Sequence, residues 1–463
     1  MTRTMSCIGI ALALLSACSK DLPTGAPGAP GSISPWHSLT ETEIREVSAA
    51  VLASSDDPII FNRISLLEPE KEQAILWTGS TPGRRGADIL YRSNKQSWRV
   101  QYDFENKQLS AATAITSGQP MLAGEEVFPV IETVNALPEV VAALEKRGVG
   151  EGNGLCLPRT VGRFFSNLAD PVNSRLVRFD CLNIQGQSGL EILPTTSAFA
   201  RPVEGLSILV DVEDATIIEL SDSFAEGGAP PSDFDVIEFH EGALQTRKPL
   251  SPVRINQDEG VNFSISGSQI EWQGWRFHLR FDPRQGTILN NIGMTTETGM
   301  RPVAYEIAMS EMFVPYQDPD QHWFYRAYFD MGEYGFGNMA SELKGHDCPS
   351  NATFQSVVLH TAVGEPFTAP NRICIFEFDP GYPSWRHYES LYAGVPGIET
   401  HHSRRATHLV VRMAATIGNY DYFQDYIFQQ DGKIRIRLIS TGVDATKGVF
   451  AATLADPTAE SET

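Results

Sequence analysis

The alternation of apolar and polar residues divides the chain into three successive units. Near the start, Ile44, Val47 and Val51 recur at helical spacing behind Thr40-Glu41-Thr42-Glu43, whose outer residues stand where a capping box needs them. The pattern then turns to strands at residues 59–66, 73–78 and 97–103, with turn residues between them. This predicts a small helix-on-antiparallel-sheet domain over 36–124. The layout repeats over 125–245. Residues 128–147 read as mostly helical, interrupted by Pro138 and stopped by Gly148, before strands at 176–184, 199–211 and 215–220. An acidic loop over 226–235 leads onward, and strands dominate from about residue 250 to 463. Residues 263–266 and 270–281 alternate, Val303, Tyr305, Ile307 and Met309 share one face, and Ile434, Ile436 and Leu438 oppose Arg435 and Arg437. Many strands with little helix predict a β-sandwich. The expected class is therefore α+β, with two small helix-plus-sheet modules ahead of a large sandwich.

Composition adds limits. With 463 residues, 42% of them hydrophobic, the chain can build several cores. A net charge of −21 with no basic run argues against nucleic acid and against charge-driven binding to an anionic membrane. An acidic field attracts cationic amines, and it serves solubility equally well. Residues 1–18 read as an export signal, with Arg3 ahead of an apolar run over 8–15 that is too short to span a bilayer. Leu15-Ser16-Ala17-Cys18 ends it in the manner of a bacterial lipobox, which makes Cys18 a candidate for lipidation, the alternative being an ordinary cleaved signal. Residues 19–35, rich in Gly, Pro, Ala and Ser, read as a flexible linker. The expected location is extracytoplasmic, periplasmic or on the outer membrane, with a membrane contact only through that anchor. Export permits disulfides. Apart from Cys7 and Cys18, the cysteines are Cys156, Cys181, Cys348 and Cys374, whose order suggests the local pairs 156–181 and 348–374, although four cysteines allow three pairings.

Neither front module carries a phosphate loop, a nucleotide fingerprint or a hydrolase elbow. The chemistry lies in the third unit. A strand-like run over 407–413 leads into Ile417-Gly418-Asn419-Tyr420-Asp421-Tyr422. Upstream stand Val314-Pro315-Tyr316 and Tyr328-Phe329-Asp330-Met331-Gly332-Glu333-Tyr334-Gly335, with Cys348 and Cys374 between them and the hairpin. In this order these stretches resemble the copper- and topaquinone-dependent primary amine oxidases. With the two preceding modules and the segment 252–284, the resemblance runs from about residue 36 to the end. It implies that Tyr420 is the tyrosine oxidised to a quinone by copper and O2, and that Asn419 restrains the ring. It implies further that Tyr316, fourteen positions before Asp330, holds a quinone oxygen. Asp330 would be the base that takes a proton from the amine's α-carbon. Tyr328 would act as a gate and, with Gly332, Ile417 and Gly418, line the substrate. A quinone carbonyl forms a Schiff base with a primary amine and then accepts two electrons, which no standard side chain does. The implied reaction converts a primary amine and O2 to aldehyde, ammonia and hydrogen peroxide, in a homodimer. The plain alternatives are a surface turn with ordinary tyrosines at 420 and 422, a turn-capping Asp330 and a core Tyr316.

Copper departs from the family pattern. The family takes three histidines, a His-x-His pair roughly fifty residues after the quinone tyrosine and a third much later. Here Thr463 follows Tyr420 by 43 positions and no histidine follows His408. His401 and His402 are adjacent, so their side chains diverge on a strand. No metal ligand is assigned, the sandwich reads as cut before its copper ligands, and the chain as given is expected to be an inactive fragment. The alternative is a non-catalytic, lipid-anchored binding protein built on the same fold.

Overall fold

The computed structural model describes residues 33–77, 83–162, 174–184, 198–226, 228–232, 250–251, 253–320, 322–451, 453 and 455–456. The signal, Cys18 and the linker up to residue 32 lie outside the described residues, as does His240.

The first module packs the helix Glu41–Leu52 on a five-stranded antiparallel sheet. The capping box forms as its spacing predicts, with Glu43 N–H donating to Thr40 Oγ1 at 3.2 Å and Thr40 N–H to Glu43 Oε2 at 2.8 Å. Ile44, Val47 and Val51 are buried against Phe61, Ile64 and Ile89 of the sheet. Three expectations change. Packing begins before the end of the supposed linker, since Ser34 is buried and accepts from Arg85 through its carbonyl. The strand expected over 73–78 is instead a short helix, Lys71–Ala74, because only Ala74 there has a buried side chain to anchor it. A central strand, Gly86–Ser93, has too little alternation to be recognised, being buried on both faces.

The second module places two helices, Gly124–Asn135 and Pro138–Glu145, on the sheet of Gly154–Arg159, Leu176–Asn183, Pro202–Asp211 and Thr216–Asp222. Pro138 does not interrupt one helix. It opens the second, where its missing N–H is no loss, and the two helices meet at 61°. Gly148 follows at φ +74°, as a helix stop should. Among the described residues no single helix is long and apolar enough to cross a membrane.

The third unit is a sandwich. One sheet runs Ser264–Ser266, Gln269–Trp272, Trp275–Asp282, Gly286–Thr296 and Gly299–Ile307. The other orders Thr353–His360, Pro366–Phe378, His408–Ile417, Tyr420–Gln429 and Ile434–Gly442. Their facing side chains form the largest core, where Phe277 stacks on Phe428 at 4.3 Å and Trp275 Nε1 donates to the carbonyl of Gln429 at 2.8 Å. The stretch over 270–281 is two strands, because Gln273 and Gly274, both at positive φ, turn the chain between Trp272 and Trp275. Disulfides join Cys156 to Cys181 and Cys348 to Cys374.

One charge centre braces the second sheet. Asp425, fully buried, accepts from Arg412 at 2.7 and 2.9 Å and from Arg437 at 2.9 and 2.6 Å. Arg412 also reaches the carbonyl of Asp347, beside the Cys348 disulfide. Asp425→Ala should therefore lower unfolding stability by about 3–5 kcal/mol, the usual cost of stranding a buried charge, read as a fall in denaturation midpoint. A midpoint within experimental error of the parent would contradict this role.

Candidate active site

His408–Ile417 and Tyr420–Gln429 pair residue for residue up to Ile417 opposite Tyr420, which leaves only Gly418 and Asn419 to turn the chain. Gly418 takes φ +63°, a conformation that an L side chain rarely adopts, and a Cβ there would stand 2.4 Å from Arg159 NH1. Asn419 is buried, and its Nδ2 donates to the carbonyl of Val443 at 2.5 Å. It thus ties the chain after the last strand to the hairpin and makes no recorded hydrogen bond to the Tyr420 ring. That tie brings Ala445 within reach, and its N–H donates to the Tyr420 hydroxyl at 3.0 Å.

The Tyr420 ring is half-buried. Tyr316 donates to its hydroxyl at 2.9 Å. Tyr316 is positioned by the small ladder of Phe313–Pro315 with Ala327–Phe329, extended by its own N–H to the carbonyl of Arg326. Burial and the neighbouring phenol push the Tyr316 hydroxyl well above the usual tyrosine range, so it stays a proton donor. The same ladder delivers Asp330, whose N–H donates to Met312 O at 3.0 Å. Asp330 opens the one-turn helix Asp330–Tyr334. Glu311 accepts the next two amides, Met331 at 3.0 Å and Gly332 at 3.2 Å, while Arg284 holds its other oxygen at 2.9 Å.

Asp330 is buried, and its carboxyl is raised to about 6, first by desolvation and then by the charge of Glu311, against the lowering effects of Tyr422 and Arg159. The Tyr422 hydroxyl is the neighbour that does most to lower it. Tyr422 lies two residues beyond Tyr420 on the same face of one strand, with ring centroids 6.2 Å apart. One strand therefore carries both Tyr420 and the phenol that neighbours Asp330. A second carboxyl, Glu333, is raised to about 7 by burial and accepts from Thr160 Oγ1.

A cavity of about 50 Å³ is lined by Asp330, Tyr316, Tyr328, Ile417, Gly418, Asn419, Tyr420 and Tyr422, and by Arg159, Thr160, Asp180 and Arg326. Tyr328 is a wall of this cavity, and its buried hydroxyl has no hydrogen-bond partner among the described residues. Gly332 is not in the lining. Its backbone is bonded to Glu311, whose Oε2 would stand 2.9 Å from a Cβ there, so its smallness serves packing. The front modules contribute groups that the motifs did not indicate. Thr160 N–H donates to Tyr334 Oη at 2.9 Å, and Asp180 pairs with Arg326 at 3.3 Å. Only Tyr422 had a local signal, its two-residue spacing from Tyr420. A larger cavity, about 680 Å³, lies in the first module among Trp77, Arg84 and Tyr102 and contains none of these groups.

Copper finds no home among the described residues, where no group of three or more His, Cys, Asp or Glu side chains could hold a metal ion. His401 and His402 sit on an exposed hairpin, paired opposite Tyr388 and His387. His408 lies at the end of its strand away from Tyr420, His360 accepts from Ile64 N–H, and His322 bonds Ser223. The donor set present does not fit copper, whereas the Tyr420 pocket does present a phenol between two hydrogen-bond donors.

The comparisons agree with this geometry. Residues 34–115 match the N2 domain, 125–229 the N3 domain and 264–459 the enzyme domain of copper amine oxidases. The chain is 33% identical over 438 residues to a primary amine oxidase of Klebsiella aerogenes, covering 93% of this chain and 55% of that protein. It is 32% identical over 433 residues to copper-containing amine oxidase gamma 1 of Arabidopsis thaliana, covering 89% of this chain and 58% of the relative. The chain thus spans little more than half the length of these relatives. A copper-containing benzylamine oxidase from Hansenula polymorpha shares the fold, at TM-score 0.77, 22% identity, and 89% and 64% coverage of the two chains. Matched along all three of its units, the chain belongs to the copper amine oxidase family.

Proposed function

We propose that this chain supplies the amine-side half of the active site of a primary amine oxidase, which converts a primary amine and O2 to aldehyde, ammonia and hydrogen peroxide. The observation that carries the reading is the meeting of Asp330 and Tyr420 on one small cavity, coupled through Tyr422. A quinone at Tyr420 would supply an electrophilic carbonyl and a two-electron sink. Asp330, held by Tyr422, would take the proton from the α-carbon, a task suited to a carboxylate whose pKa is raised toward neutrality. Tyr316 would donate to the oxygen on the Tyr420 ring, and Tyr328 and Ile417 would keep the cavity dry. The buried Asp330 and its phenol partner favour this reading over a binding protein, which has no use for a carboxyl held out of water.

Two outlying features belong to the same reading. The exposed hairpin of Pro383–Tyr388 and His401–Arg405 carries Trp385 near its base and Leu391 and Tyr392 in its connection, all exposed and largely apolar, which supports a homodimer with the arm against a second copy. Trp385→Ala with Leu391→Ser should then weaken self-association in sedimentation velocity, and an unchanged dimer would remove the arm from the interface. The lipobox ending supports export with lipidation at Cys18. Cys18→Ser should release the protein from the membrane fraction or block its processing, and equal solubility of both forms would leave an ordinary signal.

The central test supplies Cu(II), air and phenylhydrazine to this chain co-expressed with a fragment carrying the His-x-His pair that its described residues lack, the combination serving as the parent. A coloured adduct mapped to Tyr420, absent in Tyr420→Phe, supports the reading, and no adduct in the parent overturns it. Asp330→Asn should keep the adduct and lose at least a hundredfold in turnover. In the parent, kcat/KM should fall tenfold per pH unit below about 6, as the base takes up its proton. Stability carries the opposite sign. A carboxyl raised from 3.8 to about 6 favours the folded state below pH 4, and that contribution, about 3 kcal/mol, is lost as pH rises through 6. Asp330→Asn should therefore be more stable than the parent at pH 8 and have no advantage at pH 4.

A further inference from the structure

Arg159 enters the cavity from the last residue of the strand Gly154–Arg159, in the second module. Its guanidinium lies over the hairpin turn, close enough that Gly418 has no room for a Cβ. Most of the deeply placed arginines face a carboxylate, although Arg178 holds Ser207 Oγ and the Tyr325 ring instead. Arg85 faces Glu43, Arg92 faces Glu213, Arg175 faces Glu126, Arg326 faces Asp180 and Arg412 faces Asp425. Among the described residues Arg159 makes no direct ion pair: its charge is felt by Asp330 across the cavity, and its guanidinium lies 5.8 Å from the Phe199 ring. A half-buried guanidinium without a counter-charge is costly, and the energy is recovered when an anion arrives.

The carboxylates nearest in the two small cavities are already committed. Asp180 takes the Tyr325 hydroxyl and the Arg326 ion pair. Glu204, in the adjoining cavity of about 30 Å³ that Arg159 also lines, accepts from Trp323 Nε1 at 2.9 Å and Gly448 N–H at 2.7 Å. Arg326 and Asp180 cancel, so this wall keeps the positive charge of Arg159. Asp330 and Tyr420, where the amine must react, line the same cavity. A ligand held in it therefore meets both a base and a cation that has no ion-pair partner among the described residues.

We propose, resting on the amine oxidase reading, that Arg159 makes this site select short primary amines that end in a carboxylate, such as β-alanine or 4-aminobutyrate. Two parallel N–H···O bonds to a carboxylate suit a guanidinium. A diamine would instead set its second ammonium against Arg159. The cavity volume of about 50 Å³ restricts the spacer to a few carbons.

The test has a binding arm and a turnover arm. In calorimetric titration of the full-length protein, propionate should bind and propylamine should bind more weakly. Arg159→Gln should weaken propionate by roughly 10- to 100-fold, the range for a charged hydrogen-bonded contact, and Arg159→Lys should restore part of it. Failure of the parent to bind propionate, or equal binding by Arg159→Gln, overturns the proposal. In turnover, Arg159→Gln should lower the β-alanine to propylamine ratio of kcat/KM by a similar factor, chiefly through KM. An unchanged ratio with a displaced pH profile would make Arg159 a positioning group for Asp330 and also overturn it. The phenylhydrazine adduct separates the two readings. An adduct without carboxylate preference defeats this inference alone, whereas a missing adduct defeats the oxidase and leaves the binding arm to decide on Arg159.

Discussion

A hairpin closed by two residues has no slack, and the two long strands here are paired from His408 opposite Gln429 to Ile417 opposite Tyr420. A slip of one residue would send Tyr420 and Tyr422 to the other face and carry Asp421 into the cavity. The register is secured from both ends. Val411, Met413 and Ala415 pack into the sandwich core along with Tyr426 and Phe428, and Gly418 alone can take the turn beneath Arg159. The position of the Tyr420 phenol is thus fixed by core packing far from it, and that of Tyr422, the neighbour of Asp330, with it, because both ride on the same strand.

Burying carboxyl groups opposes folding, and this site buries a cluster of them. Glu311 is satisfied by backbone amides and Arg284, Glu333 by Thr160, and Asp330 by one tyrosine hydroxyl. Asp330 and Glu333 are both raised toward neutrality, and of the two only Asp330 lines the cavity. A base ringed by several donors would be held ionised and weak, whereas desolvation with a single donor leaves it near neutrality. The strain is carried by braces elsewhere, such as the Asp425 centre and the two disulfides.

The second module helps to build the cavity. Thr160 grips Glu333 and Tyr334, Asp180 anchors Arg326, and Arg159 covers the turn. A seam between modules is a natural place for a site, since each partner contributes rigid groups that neither could assemble alone.

The sequence by itself determined the helix capped at Thr40, the β-rich third unit and the order of Tyr316, Asp330 and Tyr420. Each of these is written in local spacing or in motifs, where neighbours along the chain are neighbours in space. Tertiary structure decided what depends on contacts between distant segments. Lys71–Ala74 became a helix because its burial, not its composition, set its form, and Gly86–Ser93 escaped notice because burial on both faces erases alternation. Gly332 proved to be a packing residue and Asn419 a tie to Val443, roles set by Glu311 and by a loop 24 residues further on. Arg159 stands more than 250 positions before Gly418, and only the docking of one module on another brings its charge to the amine's cavity.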